Sequence, residues 1–225
     1  MSRRISVLVA LMVATMSTCS LKAAEAPFTP DPGFVSLFDG KTLKGWKGPE
    51  AGFAVENGDL VSVKGGKGNL LTEKEYENFT IKFEFKLTPG ANNGLGIRTP
   101  LMTEGSLHLL GTELQILDDT ADQYKELKPY QYHGSVYGIV PAKRGSLKPL
   151  GEWNQQEVTF QGRKIKIVVN GQIIVDADLD EATKSGTLDG QEHPGLARVK
   201  GHVGFLGHGD RVDFRRIQIK EFPTK

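Results

Sequence analysis

The sequence has little of what marks several large protein classes. Its 225 residues contain one cysteine, Cys19, which lies in an N-terminal segment with the features of a cleaved signal. The remaining chain has no disulfide available, so its stability must come from a packed core. Removal of residues 1–26 changes the formal net charge from +1 to −1. A net charge this close to zero excludes the strongly basic surface with which proteins bind nucleic acid or anionic lipid.

Motifs for the common kinds of cofactor are also missing. The sequence contains no phosphate-binding loop, no dinucleotide fingerprint and no serine nucleophile elbow. It has no His-x-x-x-His pair and no carboxylate cluster with the fixed spacing of a metal site. His133, His208 and Glu113 could still converge in space. A divalent metal therefore stays open as a cofactor, and no other cofactor is indicated.

The first residues have the features of a secretory signal peptide. Arg3 and Arg4 give a positive start, residues 5–16 form an apolar run, and residues 24–26 (Ala-Glu-Ala) fit the small-x-small cleavage rule. The apolar run is too short to span a membrane. We therefore expect residues 1–26 to be removed and the mature protein to be secreted or periplasmic.

Two further expectations concern this end of the chain. Residues 27–33 contain three prolines and are expected to form an extended linker. A lipoprotein anchored at Cys19 is the less favoured alternative, because Thr18 fits poorly in front of a lipidated cysteine.

Alternation of apolar and polar residues predicts strands along most of the chain. The clearest alternation covers residues 78–87. Asn57-Gly58 and Asn170-Gly171 favour two-residue hairpin turns, because both central residues of a type I′ turn need positive φ. Near Arg215-Arg216 the alternation slips by one residue, which predicts a β-bulge. Further strands are expected over residues 34–38, 94–99, 112–117, 135–138 and 153–176.

Helix signals are weak by comparison. Residues 121–127 and 179–184 could each supply a turn or two, and neither has a sustained helical stripe of apolar residues. We find no internal repeat and no second domain. The prediction is an all-β sandwich of two antiparallel sheets with little helix, in a single domain over residues 34–223.

The most informative stretch for function covers residues 111–119. Glu113 and Gln115 share one face of the predicted strand, while Leu114 and Ile116 share the opposite, core-facing one. A carboxylate and an amide that project together, followed by a pair of aspartates, are typical of a lined cleft. An ordinary solvated sheet face is the alternative, and this segment alone leaves both open.

Several segments together resemble one family, the 3-keto-disaccharide hydrolase domain. The resemblance covers nearly the whole chain after the signal and depends on seven motifs that occur in the same order. They are residues 37–46 (LFDGKTLKGW), 92–98 (NNGLGIR), 113–118 (ELQILD), 134–138 (GSVYG), 151–154 (GEWN), 169–171 (VNG) and 201–210 (GHVGFLGHGD). The resemblance implies a concanavalin-like jelly roll and an exported bacterial enzyme that cleaves glycosides carrying a ketone at C3.

Such a reaction needs particular kinds of residue. A C3 ketone acidifies the proton on C2, and a base that removes it forms an enolate that can expel the C1 substituent. Water can then add to the product. The site needs a base, donors to an oxyanion and groups that bind hydroxyls. Direct hydrolysis by two carboxylates is the competing mechanism.

Candidate residues follow from the motifs and these requirements. We expect Glu113 to be the catalytic acid or base, with His208, placed between two glycines, as the second catalytic residue. Gln115 would bind a sugar hydroxyl or the enolate oxygen, and Arg98 and Asp119 would also bind the substrate. Substrate contacts are also predicted for His133, Tyr137, Lys148 and Trp153. Glu113, Gln115, Arg98 and His208 are expected to converge on one pocket.

Each expectation has a structural alternative. Arg98 could pair with a carboxylate, an isolated histidine is usually structural, and Trp153 could belong to the core. Asp118 could equally brace the turn after its strand. The expected partner is a sugar substrate, with no nucleic acid and no membrane span, and the oligomeric state is open. A non-catalytic carbohydrate-binding module is the alternative function, and an adhesion domain is a third, weaker one.

Overall fold

The computed structural model describes residues 28–48, 50–101 and 106–223. The predicted signal peptide lies outside this part of the chain. The described residues are mostly strands, with two short α-helices, α1 (Leu107–Leu110) and α2 (Leu179–Thr183), and four single turns of 3-10 helix. The strands are β1 (Val35–Ser36), β2 (Trp46–Lys47), β3 (Phe53–Glu56), β4 (Asp59–Ser62), β5 (Gly68–Thr72), β6 (Phe79–Leu87), β7 (Asn92–Thr99), β8 (Thr112–Leu117), β9 (Trp153–Gln161), β10 (Lys164–Val169), β11 (Gln172–Asp178), β12 (His202–Gly207) and β13 (Val212–Glu221).

Two antiparallel sheets form the fold. The large sheet has the strand order β11-β10-β9-β6-β13-β4-β3, and β1 pairs with the second half of β13. The small sheet has the order β2-β5-β12-β7-β8. The predicted all-β, concanavalin-like jelly-roll sandwich with little helix is confirmed.

The core lies between the facing sheets and is rich in aromatic residues. On β6, Phe79, Ile81, Phe83 and Phe85 are all buried on one face, as the alternation predicts. Phe83 of the large sheet meets Phe205 of the small sheet edge to face, with ring centroids 5.5 Å apart. These rings supply the packed core that a chain without disulfides needs.

Local signals for turns and irregularities are confirmed at three places. Asn57 and Asn170 have φ values of 53° and 50° in the hairpins between β3 and β4 and between β10 and β11. The register of β13 against β6 shifts after Arg215, where Arg216 has a φ of 51°. This shift is the predicted bulge.

One predicted strand is shorter than expected, and another does not form. The first strand covers only Val35–Ser36, and both residues are exposed, whereas Phe38 of the predicted segment is buried without being part of the strand. The segment at residues 135–138 forms no strand, although Val136 makes isolated bridges to Leu114 and Val140. Among the described residues, no helix is long and apolar enough to cross a membrane.

The outer face of the small sheet carries an unusual row of glycines. Gly204 pairs with Gly96 and Leu206 pairs with Gly94 across β12 and β7. Gly96 and Gly94 in turn pair with Glu113 and Gln115 on β8. Because paired residues share a face, the side chains of β8 project beside a strip that has almost none. This strip lies beside Glu113 and Gln115, which line the candidate site.

Candidate active site

Glu113 extends over the space that Gly94 leaves. A Cβ atom added to Gly94 would lie 2.1 Å from Oε1 of Glu113 and within 3 Å of two more atoms of the same side chain. The residues on either side of Glu113 in β8 are anchored in the core, as Leu114 shows with no exposed surface. The strand therefore holds a nearly buried carboxylate on the outer face of the sheet.

His208 completes a pair with this carboxylate. It follows the last residue of β12, and its Nε2 lies 3.2 Å from Oε1 of Glu113. The imidazole is 42% exposed, whereas the carboxylate of Glu113 is only 5% exposed. The hydrogen bond to Glu113 raises the pKa of His208 above its usual value, and this effect outweighs the opposing effect of burial. Below that raised pKa the two side chains form an imidazolium–carboxylate pair.

One oxygen of Glu113 is left for other chemistry. Oε1 accepts the bond from His208, while Oε2 has no hydrogen-bond partner among the described residues. A buried carboxylate with one occupied and one open oxygen can take up a proton from a ligand.

The segment after β8 returns alongside it and brings Tyr137 to the same wall. The backbone N–H of Tyr137 donates to the carbonyl oxygen of Glu113 over 2.9 Å, and the N–H of Gln115 donates to the carbonyl of Ser135 over 3.0 Å. Gly134 has a φ of 77°, a value that favours glycine, at the turn into this segment. Backbone pairing therefore fixes Tyr137 beside Glu113.

Three amide side chains line the same cavity. Nε2 of Gln115 donates to Oδ1 of Asn92, the first residue of β7, over 2.7 Å. Nε2 of Gln131 donates to the hydroxyl oxygen of Tyr137 over 2.9 Å. Amides and phenols of this kind bind the hydroxyl and carbonyl oxygens of a sugar.

The cavity itself has a volume of about 200 Å³, less than the 300–1,000 Å³ typical of pockets for drug-sized ligands. It fits one sugar ring better than two. His108 of α1 contributes a second imidazole, which packs edge to face on Tyr137 with ring centroids 5.4 Å apart. The lining residues are Asn92, His108, Glu113, Gln115, Leu117, Tyr124, Leu127, Gln131, Tyr137 and His208.

A larger depression, of about 430 Å³, lies on the outer face of the large sheet. Its charged side chains pair with one another. Lys82 bonds to Asp31 at 3.0 Å and to Glu157 at 3.3 Å, and Glu84 bonds to Arg216 at 3.2 Å. Such pairing is typical of a solvated sheet face, so we place the candidate site in the smaller cavity lined by Glu113 and His208.

Comparison with known families agrees with this geometry. The family model described as a 3-keto-alpha-glucoside-1,2-lyase-like domain matches residues 33–220. The chain belongs to this family. The match includes both sheets and every residue that lines the cavity.

Three known proteins are similar to this chain over most of their own length. A 3-keto-disaccharide hydrolase from Bacteroides thetaiotaomicron is 25% identical, with 92% of this chain and 86% of the relative covered. A protein from Parabacteroides distasonis, solved as a candidate glycosyl hydrolase, is 27% identical, with a TM-score of 0.72 and coverage of 85% and 94%. A second such structure from the same organism is 28% identical, with a TM-score of 0.72 and coverage of 84% and 99%.

Four of the residues predicted for the site meet in the cavity, namely Glu113, Gln115, Tyr137 and His208. Arg98 does not, which corrects the expected convergence. It has a φ of 50°, and the register of β7 against β12 shifts at this point. Arg98 therefore turns away from the glycine strip, and its guanidinium lies 4.2 Å from the ring centroid of Phe160.

The surroundings of Arg98 are structural. Its guanidinium donates to the backbone carbonyls of Glu77, Gly162 and Arg198. Burial lowers the pKa of Arg98 to about 10. Thr99 takes the position next to Gly96 that strict alternation would give to Arg98.

His133 and Asp119 are placed on the core side of the loop after β8. His133 is buried and stacks on Phe85, with ring centroids 5.0 Å apart. Burial lowers its pKa to about 3, so the ring is neutral. A carboxylate oxygen of Asp119 accepts the backbone N–H of His133 over 2.9 Å. Both residues thus support the loop, and neither lines the cavity.

Trp153 begins β9 of the large sheet instead, and Lys148 lies in the loop before it. Nζ of Lys148 donates to the carbonyl of Trp153 over 3.0 Å. The ring of Trp153 lies between two cations, 4.6 Å from Nζ of Lys86 and 4.1 Å from the guanidinium of Arg215. Asp118 braces the turn, accepting from Gly90 and Thr120.

The described residues contain no group of three or more His, Cys, Asp or Glu side chains that could hold a metal ion. In particular, His133 does not approach the pair formed by Glu113 and His208. The cavity residues that the sequence did not single out are Asn92, His108, Leu117, Tyr124, Leu127 and Gln131. Of these residues, only Asn92 could have been placed at the site from the sequence, because it is two residues before Gly94 and so lies on the same face of the predicted strand.

Proposed function

We propose that this protein cleaves the glycosidic bond of sugars whose ring carries a ketone at C3. Membership of the lyase-like family and the resemblance to a 3-keto-disaccharide hydrolase support a carbohydrate-active enzyme. The observation that carries the proposal is the pair formed by Glu113 and His208 on the floor of a cavity sized for one sugar ring.

In this proposal Glu113 is the base. Its open Oε2 takes the proton from C2, while the imidazolium of His208 holds Oε1 and keeps the carboxylate in place. The electron pair released at C2 moves toward the C3 ketone. As the ketone re-forms, the C1–O bond breaks, the departing oxygen takes a proton from water and leaves as an alcohol, and a C1–C2 double bond remains. Water adds across that bond, so the net reaction is hydrolysis.

The amide residues orient the ring. Gln115, held by Asn92, binds a ring hydroxyl beside the base. A single-ring cavity leaves the C1 substituent toward solvent, so the oxidised ring is the part that is recognised. Loss of proper orientation by about 1 Å is enough to lower rates ~10²-fold.

The test compares a 3-keto-disaccharide with its unoxidised parent. We expect cleavage of the ketone form only, and the Glu113→Gln variant should lose at least ~10²-fold in turnover while binding changes little. Cleavage of the parent at an equal rate would favour direct hydrolysis. Tight binding without any turnover would favour the carbohydrate-binding module instead.

Export is part of the same proposal. The charged start, apolar run and cleavage site of residues 1–26 support removal of this segment and a secreted or periplasmic protein. Intact-mass analysis of the exported protein tests it. A mass that includes an acylated Cys19 would indicate a lipoprotein.

A further inference from the structure

The orientation of the Gln131 side chain is fixed by its neighbours. Gln131 ends the 3-10 turn Pro129–Gln131, and its Oε1 accepts the backbone N–H of Lys128 over 3.0 Å. A backbone N–H can only donate, so the amide oxygen must face Lys128. The amide nitrogen therefore faces the hydroxyl of Tyr137, at 2.9 Å.

This orientation of the amide decides whether the Tyr137 hydroxyl donates or accepts the hydrogen bond to Gln131. An amide nitrogen has donors and no acceptor, so the phenolic oxygen is the acceptor in that bond. The phenolic proton is not used in it, and no other bond to this hydroxyl is formed within the described residues. Tyr137 lines the cavity beside Glu113, so the proton is free to donate to a bound ligand.

The ring that carries this hydroxyl is held on two sides. Tyr130 and His108 pack edge to face on Tyr137, with ring centroids 6.1 Å and 5.4 Å away. Its backbone N–H is bonded to the carbonyl of Glu113. A donor fixed before the ligand arrives stabilises a developing negative charge without having to reorganise.

We propose that Tyr137 is a catalytic residue that donates a hydrogen bond to the oxygen of the C3 ketone, and that Gln131 is a positioning residue that keeps the phenolic proton directed at it. The inference rests on the proposed function. When the base removes the C2 proton, the C–H electron pair forms a C2–C3 double bond and the ketone oxygen becomes an oxyanion. Tyr137 stabilises this oxyanion and keeps its own proton.

Two groups near the base are already partly engaged. His208 is bonded to Oε1 of Glu113, and one amide N–H of Gln115 is bonded to Asn92. Tyr137 differs from them in that the direction of its own hydrogen bond leaves its single proton uncommitted.

The test isolates enolate formation from cleavage. The probe is 1,5-anhydro-3-ketoglucitol, which has a C2 proton and a C3 ketone but no exocyclic substituent at C1 to be expelled. Exchange of the C2 proton in D₂O is followed by NMR with the full-length protein. We expect Tyr137→Phe to slow enzyme-catalysed exchange by at least ~10²-fold, the usual effect of removing one oxyanion donor. Tyr130→Phe, the matched control on the neighbouring ring, should exchange at the wild-type rate.

A second variant reverses the direction of one hydrogen bond. In Gln131→Glu, a carboxylate oxygen still accepts from Lys128, but the other oxygen can only accept from Tyr137 and so captures the phenolic proton. Exchange should fall about as far as in Tyr137→Phe, and the double variant should be no slower than either single one. A purely structural Tyr137–Gln131 contact would survive in Gln131→Glu and leave exchange near the wild-type rate.

The outcomes separate the two proposals. Wild-type exchange that persists in both Tyr137→Phe and Gln131→Glu overturns the role of Tyr137 and leaves the proposed function intact. Loss in Tyr137→Phe alone overturns the positioning role of Gln131. Wild-type protein that neither exchanges the probe nor cleaves a 3-keto-disaccharide overturns the proposed function, and the inference with it.

Discussion

Replacing Gly94 with alanine should displace the carboxylate of Glu113, the proposed base, while sparing the fold. The three atoms nearest to a Cβ at this position all belong to Glu113, and the nearest, Oε1, would be 2.1 Å away. Contacts below 3.0 Å are essentially not found for real Cβ atoms. The carboxylate must therefore recede by about 1 Å, a displacement that can lower an enzymatic rate ~10²-fold.

Stability should change little in the same variant. Gly94 has no positive φ that would make alanine strained. Alanine in a strand is more favourable than glycine by roughly 0.5–1 kcal/mol, which opposes the cost of loosening the Glu113–His208 pair. For a chain of this size, 1 kcal/mol corresponds to about 2–4 °C in Tm.

The assay measures turnover of a 3-keto-disaccharide and Tm on the same preparations. Gly96→Ala is the matched control, because the three atoms nearest to its Cβ would belong to Thr99 and Leu206, whereas those nearest to the Cβ at Gly94 belong to Glu113. We expect the Gly94 variant to lose ~10²-fold in turnover at nearly unchanged Tm, and the Gly96 variant to lose far less. Equal activity of the Gly94 variant and wild type would refute the placement of Glu113 as the base.

Three further predictions concern the core, the buried arginine and the histidine. Phe83→Ala should cost about 3–5 kcal/mol of unfolding free energy, whereas Lys82→Ala on the outer face should stay within about 0.5 kcal/mol in the same denaturation series. Arg98→Met should lower stability by at least about 2 kcal/mol, because buried carbonyls lose their donor; if Arg98 bound substrate, the KM of the folded variant would rise as well. The stabilisation from the Glu113–His208 pair is complete below about pH 6.5 and is lost as pH rises through the raised pKa of His208. Tm should therefore fall over this range in wild type and not in His208→Gln; identical profiles would contradict the pairing.

Much of the fold was predictable because its signals are local. The period of two over residues 78–87 and the two Asn-Gly turns each depend on neighbouring residues only, and both match the structure. The first strand was overestimated because only Val35 and Ser36 pair with β13, although Phe38 further along the predicted segment is buried. Alternation alone does not report whether another layer covers a face.

The site residues were predictable where every second residue of a strand lies on the same face, and unpredictable where that alternation is interrupted. Glu113 and Gln115 project together because β8 is regular from end to end. Arg98 leaves the face that it would share with Gly94 and Gly96 because its own φ is positive, which interrupts the alternation of β7. His108 and Gln131 lie on short helical turns, where the sequence carries no period that could relate them to β8.

The most direct test of the account is cleavage of a 3-keto-disaccharide in D₂O, stopped early and analysed by NMR and mass spectrometry. If Glu113 removes the C2 proton before the C1 bond breaks, the released keto sugar must carry one deuterium at C2. The same sugar incubated alone corrects for spontaneous exchange. Release of a product that keeps its original C2 proton would contradict elimination followed by hydration and point to direct hydrolysis.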